Sequence, residues 1–288
     1  MIDVFLKKRS YLGCIRSSLN IYGENIVRIF KKVWIWCLLV AAMNGVAAVI
    51  YPRADENAST AEIIMLAVFC MAAFLSDIKI KALFFSFLNN AGQNKFKRML
   101  KVCVAYICIL IVILAFLVLL LSALAKGLFA MNLSQESADI SFAVALLLFG
   151  IAATILVQPF SFSILKCLLE GIGIKDSLRW YRVGMRRVGF LFTLFVVLAL
   201  VFCLLSLLFA LPGIIVIITC GLNDFGMSLG DPTGLPQYFA ALKFMATVLV
   251  SLYTEFFSIW AILVMCHAYG NIETAYREKE RYNIKKEE

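Results

Sequence analysis

The stretch "SLRWYRVGMRR", residues 177–187, decides how this chain is read. Apolar Leu178, Tyr181, Met185 and Val188 and cationic Arg179, Arg182, Arg186 and Arg187 each recur at helical intervals. That spacing predicts a helix with one greasy face and one basic face. Asp176 or Ser177 is the expected N-cap, because short oxygen-bearing side chains satisfy the free amides of a first helical turn. An unbroken apolar run follows from Phe190, long enough to cross a bilayer.

The same unit, a basic amphipathic segment opening into a hydrophobic span, occurs twice earlier. In residues 11–32, Leu12, Ile15, Leu19, Tyr22, Ile26 and Ile29 recur at spacings of three and four, which predicts a helix lying along the membrane surface. "LNIYGEN" (19–25) is echoed by "LNNAGQN" (88–94), and Ser177, Leu178 and Tyr181 align with Ser18, Leu19 and Tyr22. Each unit continues through an outer loop into a second span, which places spans at about 33–51, 61–76, 102–125, 140–165, 190–219 and 238–269. The fifth is overlong and contains Pro212–Gly213, so its crossing is expected to end near Ala210, before a kink or a short outer-leaflet helix. The predicted fold is therefore an all-α polytopic membrane helix bundle. Its six transmembrane helices form three pseudo-repeats, 11–76, 80–165 and 171–269, each preceded by a cytoplasmic amphipathic interfacial helix. Residues 270–288 form a charged tail within the same single transmembrane domain.

Of the 288 residues, 63% are hydrophobic and 16% charged, against about 45–50% and about 25% in soluble domains. The net charge of +9 raises the question of nucleic acid, and its placement answers it. Of 27 Lys and Arg, all but Arg53, Lys126 and Lys243 fall into four clusters separated by pairs of spans. The first includes Arg28, Lys31 and Lys32; the second Lys95, Lys97, Arg98 and Lys101; the third Arg179, Arg182, Arg186 and Arg187. This is the positive-inside pattern of a multi-pass membrane protein with both termini cytoplasmic; the expected location is a bacterial inner membrane. Lys7, Lys8 and Arg9 are followed by a polar amphipathic segment rather than an apolar core, so no cleavable signal peptide is expected. Basic residues at the surface attract anionic headgroups, at about 1 kcal/mol each. The expected partners are those lipids and a cytoplasmic or membrane protein, with no nucleic acid.

Nine cysteines without a CxxC pair and a single histidine, His267, argue against a disulfide framework or a zinc site. His267 is expected at the membrane interface. HExxH, GxSxG, the Walker lysine loop and paired acidic metal motifs are all absent, so neither a cofactor nor a catalytic residue is assigned. Glu255 is the one acidic residue near the middle of an expected span. A carboxylate there costs several kcal/mol unless protonated, paired or hydrated, which makes it a functional candidate. Ser251 and Ser258 share its helical face, Gln158 could complete the site from span four, and no Lys or Arg is expected at its depth. The bland alternative is a protonated Glu255 hydrogen-bonded inside the bundle. Gln158–Pro159 reads either as a broken binding helix or as an ordinary proline kink.

"DSLRWYRVGMRRVGFLFTLF" (176–195), "LPG" (211–213) and "AYGNIETAYREKE" (268–280) carry a family likeness. With the span layout, they resemble a group of six-span prokaryotic membrane proteins of unknown function, related to the membrane domain of glycerophosphodiester phosphodiesterases. The resemblance implies a six-span fold and supplies no catalytic residue; in that group the Glu255 position is usually apolar. The functional expectation is a non-enzymatic membrane module binding lipid or a partner through its basic amphipathic helices. The alternative is a small proton- or cation-linked transporter or channel using Glu255.

Overall fold

Hydrocarbon offers no partner to a backbone amide, so apolar segments of this length fold as helices. The computed structural model describes residues 2–50, 60–88, 95–130, 135–230, 234–236 and 238–287. It is all-helical, 93% helix with no strand among the described residues. The helices are α1 (Ile2–Phe5), α2 (Tyr11–Ile50), α3 (Thr60–Leu88), α4 (Lys95–Ala130), α5 (Gln135–Glu170), α6 (Ile174–Arg179), α7 (Tyr181–Met185), α8 (Val188–Phe209), α9 (Leu211–Ser228) and α10 (Phe239–Glu287). Among the described residues, seven of them, α2 to α5 and α8 to α10, are long and apolar enough to cross a membrane. Their outward surfaces are apolar as well, through Ile111, Val112 and Phe116 on α4, Leu146 to Leu148 on α5, and Leu204, Leu207 and Leu208 on α8. A water-soluble protein does not present aliphatic side chains this densely, and these helices are those of a membrane-embedded protein.

Several boundaries differ from those expected. Residues 11–32 and the first span form one uninterrupted helix of 40 residues, with no break near Val33. Such a helix is about 60 Å long, twice the hydrocarbon thickness. Its packed seam runs through Cys14, Ser18, Ile29 and Val33, while Leu12, Leu19 and Ile26 are exposed. Likewise α3 does not end at Ser76 but continues to Leu88, burying Ile78, Ile80, Phe84 and Phe85. Most of the "LNNAGQN" echo, 89–94, lies outside the described residues, as do 51–59 and 131–134 of the expected outer loops.

The third unit follows the sequence more closely. Leu178, Tyr181, Met185 and Val188 are half-buried while the four arginines are exposed. It is built as two short helices joined at Trp180, and α6 is capped by Gly173 in extended backbone instead of by Asp176 or Ser177. Ser177 already lies inside α6 and donates to Ile174 O at 2.8 Å. A helix break is also present at the expected Ala210, with Pro212 in the first turn of α9.

The chain divides into two compact units. The first comprises Met1–Cys14, Lys97–Val196 and Met265–Glu288. In it α6 and α7 pack on α5. A core of Val102, Tyr106 and Cys167 is closed by Phe160, Ile164 and Leu178, and the Tyr106 and Ser177 hydroxyls lie 3.3 Å apart. Helix α5 runs through Pro159 without interruption. Proline removes one amide donor from that turn. The Tyr181 hydroxyl brings another, donating to Leu156 O at 3.1 Å, and burial holds its pKa above the ordinary phenol value. The approach depends on Gly184, where a Cβ would stand 2.9 Å from Pro159 O. The second unit comprises Ile15–Phe96 and Val197–Val264. Gly45 of α2 lies against Phe244 and Val248 of α10 so closely that a Cβ would meet the Phe244 ring at 2.7 Å. In the same unit Phe202, Phe209, Tyr253 and Phe257 form an aromatic cluster.

Within the first unit the Phe5–Arg9 segment seats on α10. Arg9 N donates to Asn271 Oδ1 at 3.1 Å, Phe5 packs edge-on to His267 at 4.8 Å, and Lys8 pairs with Glu278. A Cβ at Gly270 would overlap the main-chain carbonyl of Phe5. Gly270→Ala is therefore expected to dislodge this segment, raising tryptic cleavage at Lys7 to Arg9 by roughly tenfold under conditions where cleavage tracks the open population. Gly189→Ala, where an added methyl would meet nothing within 4 Å, is the control and should cleave at the parental rate.

Candidate functional site

Two pairs at i,i+4 spacing, Lys166 with Glu170 on α5 and Glu273 with Arg277 on α10, close into a ring of alternating charge. Lys166 Nζ donates to Glu273 Oε2 at 2.8 Å and lies 3.5 Å from Glu170 Oε2. Arg277 donates through Nε to Glu273 Oε1 at 2.8 Å and through Nη2 to Glu170 Oε1 at 2.9 Å. The Tyr269 hydroxyl adds a donor to Glu170 Oε1 at 2.6 Å. Lys166 and Glu273 are only 3% and 2% exposed, so both charges have lost their water. Removing an ion from water costs several kcal/mol, and only close pairing with full hydrogen bonding offsets it. The Trp180 ring covers Lys166, 3.5 Å from centroid to Nζ, and is itself packed edge-on by Tyr276. By its place in the sequence Lys166 belongs to a topology-setting cluster, which gives no hint of this role. The signal that could have revealed it is the pair of i,i+4 couples at the ends of two apolar runs.

The same end of α5 gathers a further cation. Arg98, expected to hold lipid headgroups, instead donates through Nη2 to Cys167 O at 2.8 Å and to Ile172 O at 2.6 Å. Gly171, at φ +83°, turns the chain there, and a Cβ on it would meet the Arg98 guanidinium at 3.3 Å. Carbonyls at a helix C-terminus carry partial negative charge, and a guanidinium answers it; Cys167 O also accepts from Gly171 N and Ile172 O from the Cys167 thiol, each at 3.2 Å. The other expected headgroup residues divide. Arg28, Lys31, Lys97 and Lys101 are exposed, Lys32 stands 5.8 Å over the Phe87 ring, and the Lys95 side chain lies outside the described residues. Arg179 reaches Asp176 only at 3.9 Å and stays 85% exposed, and Arg182, Arg186 and Arg187 are exposed beside it.

In the second unit Glu255 is buried, and its Oε2 has no hydrogen-bond partner among the described residues. It is not alone. Asp77 and Lys81, an ion pair one turn apart on α3, are the charged groups that act on it. Both lie on the part of α3 that continues past Ser76 and are half-buried there. Ser251 accepts from Asn44 Nδ2 at 3.3 Å, and Ser258 donates to the main-chain oxygen of Glu255 at 2.8 Å, not to its carboxylate. Gln158 belongs to the first unit. His267 is fully buried, with neither ring nitrogen hydrogen-bonded among the described residues.

Comparison with protein-family models, with curated proteins and with solved structures finds no match to this chain.

The ring yields a double-mutant prediction. Lys166→Met and Glu273→Gln should each destabilise the detergent-solubilised protein by about 3 kcal/mol, the cost of leaving a buried charge without its partner. Combined, they should cost less than their sum by about 1–3 kcal/mol, as contacting members of one network do. Thermal unfolding of the two single variants and the double reads both values.

Proposed function

We propose that this chain is a non-enzymatic module of the bacterial inner membrane that holds anionic lipid headgroups on the basic face of α6 and α7. One observation carries the reading. Arg179, Arg182, Arg186 and Arg187 stand exposed together, while Leu178, Tyr181, Met185 and Val188 on the opposite side are half-buried. Exposed cations over an apolar base match a membrane surface, whose polar headgroups overlie hydrocarbon. A cytoplasmic or membrane protein partner could share that face.

In this reading six of the seven apolar helices span the membrane, in three pairs. The exception is α9, the shortest at 18 residues, which begins at the Ala210 break and carries Asn223 and an exposed Asp224 in its second half. Seven crossings would put the two basic ends of the chain on opposite sides, against the positive-inside rule. With six, both ends and the α6–α7 face are cytoplasmic.

A second reading draws on Glu255 with Asp77 and Lys81. Two carboxyl groups and an ammonium in one packed site can share a proton, the element a proton- or cation-linked transporter needs.

Charge reversal at Arg179, Arg182 and Arg186 tests the first reading. Phosphatidylglycerol bound to the purified protein, counted by native mass spectrometry, should lose at least about tenfold in affinity, while phosphatidylcholine is unaffected. Unchanged phosphatidylglycerol binding would sink it. Glu255→Gln tests the second. Proteoliposomes should lose a pH-dependent flux if Glu255 carries protons, and lipid retention should stay as in the parent.

A further inference from the structure

Beside the start of α8 lies a cavity of about 410 Å³, within the range of about 300–1,000 Å³ usual for small-molecule sites. It lies wholly within the first unit. Its walls include Lys8, Arg9, Ser10, Arg187, Phe190 and Asn271, three of them cationic, and no carboxylate lines it among the described residues. The Phe190 ring, stacked on Tyr11 at 4.7 Å, makes one wall apolar.

The cations are held differently. Lys8 is paired with Glu278. Arg9 is fixed through its backbone to Asn271 at 3.1 Å, and its guanidinium donates to Val4 O at 2.9 Å and Phe5 O at 3.3 Å. Those bonds leave further N–H donors, because a guanidinium carries five. Arg187 forms no ion pair among the described residues and immediately precedes Val188, the first residue of α8. The positive end of that helix dipole adds to the same field. Ser10 and Asn271 supply neutral hydrogen-bonding groups suited to hydroxyls.

We infer that this cavity is a saturable binding site for a phosphate ester of a hydroxylated alcohol, clasped by Arg187 and Arg9. It deepens the headgroup-binding reading and rests on it, giving the diffuse basic face one built pocket. The ester can come from a membrane lipid or from solution, and the chemistry of the pocket serves both.

The test uses the full chain in non-ionic detergent, titrated with phosphatidylglycerol, phosphatidylcholine and glycerol 1-phosphate and read by native mass spectrometry. Arg187→Gln removes one of the two clasping guanidinium groups. Ala275→Phe fills the cavity, which Ala275 also lines, while keeping every charge. Both variants are expected to bind the phosphate ester about tenfold more weakly than the parent, without loss of thermal stability. If glycerol 1-phosphate binds the parent and is lost from both variants, the site takes its ligand from solution; if only phosphatidylglycerol does so, it takes a lipid. Parental affinity in both variants for both esters would overturn the cavity. Weakening confined to the Arg179, Arg182 and Arg186 reversal would also overturn it and leave the α6–α7 face standing. Weakening confined to Arg187→Gln and Ala275→Phe would uphold the cavity and overturn the face.

Discussion

The contact between Lys166 and Glu273, two charges with almost no water left to either, governs how the first unit is put together. A single salt bridge of that kind roughly breaks even against an apolar pair. Here Arg277, Glu170 and Tyr269 complete it, so each carboxylate oxygen in the ring meets a donor. Such a network tolerates few alternatives: sliding α10 by one turn along α5 would break both interhelical pairs, Lys166 with Glu273 and Arg277 with Glu170, at once. It therefore sets the register between two helices whose apolar surfaces would pack in several ways. Trp180 extends that register outward, since its ring rests on Lys166 while its backbone joins α6 to α7.

Positive charge in this molecule thus has three fates. Lys166 and Arg98 are absorbed into structure, one in the ring and one on the carbonyls that end α5. Lys79, half-buried, lies between aromatic rings, 5.8 Å from Trp36 and 5.1 Å from Phe96. Arg179, Arg182, Arg186 and Arg187 stay exposed. A count of basic residues weights all of these equally. Desolvation separates them, because a buried cation has its partner already and only an exposed one can exchange water for a new one.

The all-helical, membrane-embedded character was legible in the sequence, because runs of Leu, Ile, Val and Phe as long as 102–125 have few other stable conformations. So was the two-faced third unit, whose apolar and basic residues keep the three-and-four rhythm, and the break at Ala210 beside Pro212. What local pattern could not reveal is where a helix continues beyond its span. Lys79 and Lys81 look like a cytoplasmic boundary, yet α3 carries on because Asp77 answers Lys81 within its own turn and Trp36 and Phe96 shield Lys79. The surroundings of Glu255 were hidden for the same reason. The role of Arg98 was illegible because its acceptors are carbonyls some seventy positions away, and a bond to backbone leaves no trace in side-chain letters.

The bare edge of α10 at Gly270 sets an order on biosynthesis. Phe5 and Arg9 emerge from the ribosome early, but the groove that receives them does not exist until residues 267–271 have been made, and the Arg9–Asn271 bond spans 262 positions. Closing so large a loop is slow relative to forming any helix in between. Until those residues are made the Phe5–Arg9 segment has no seat, so its docking follows the synthesis of every helix that lies between them.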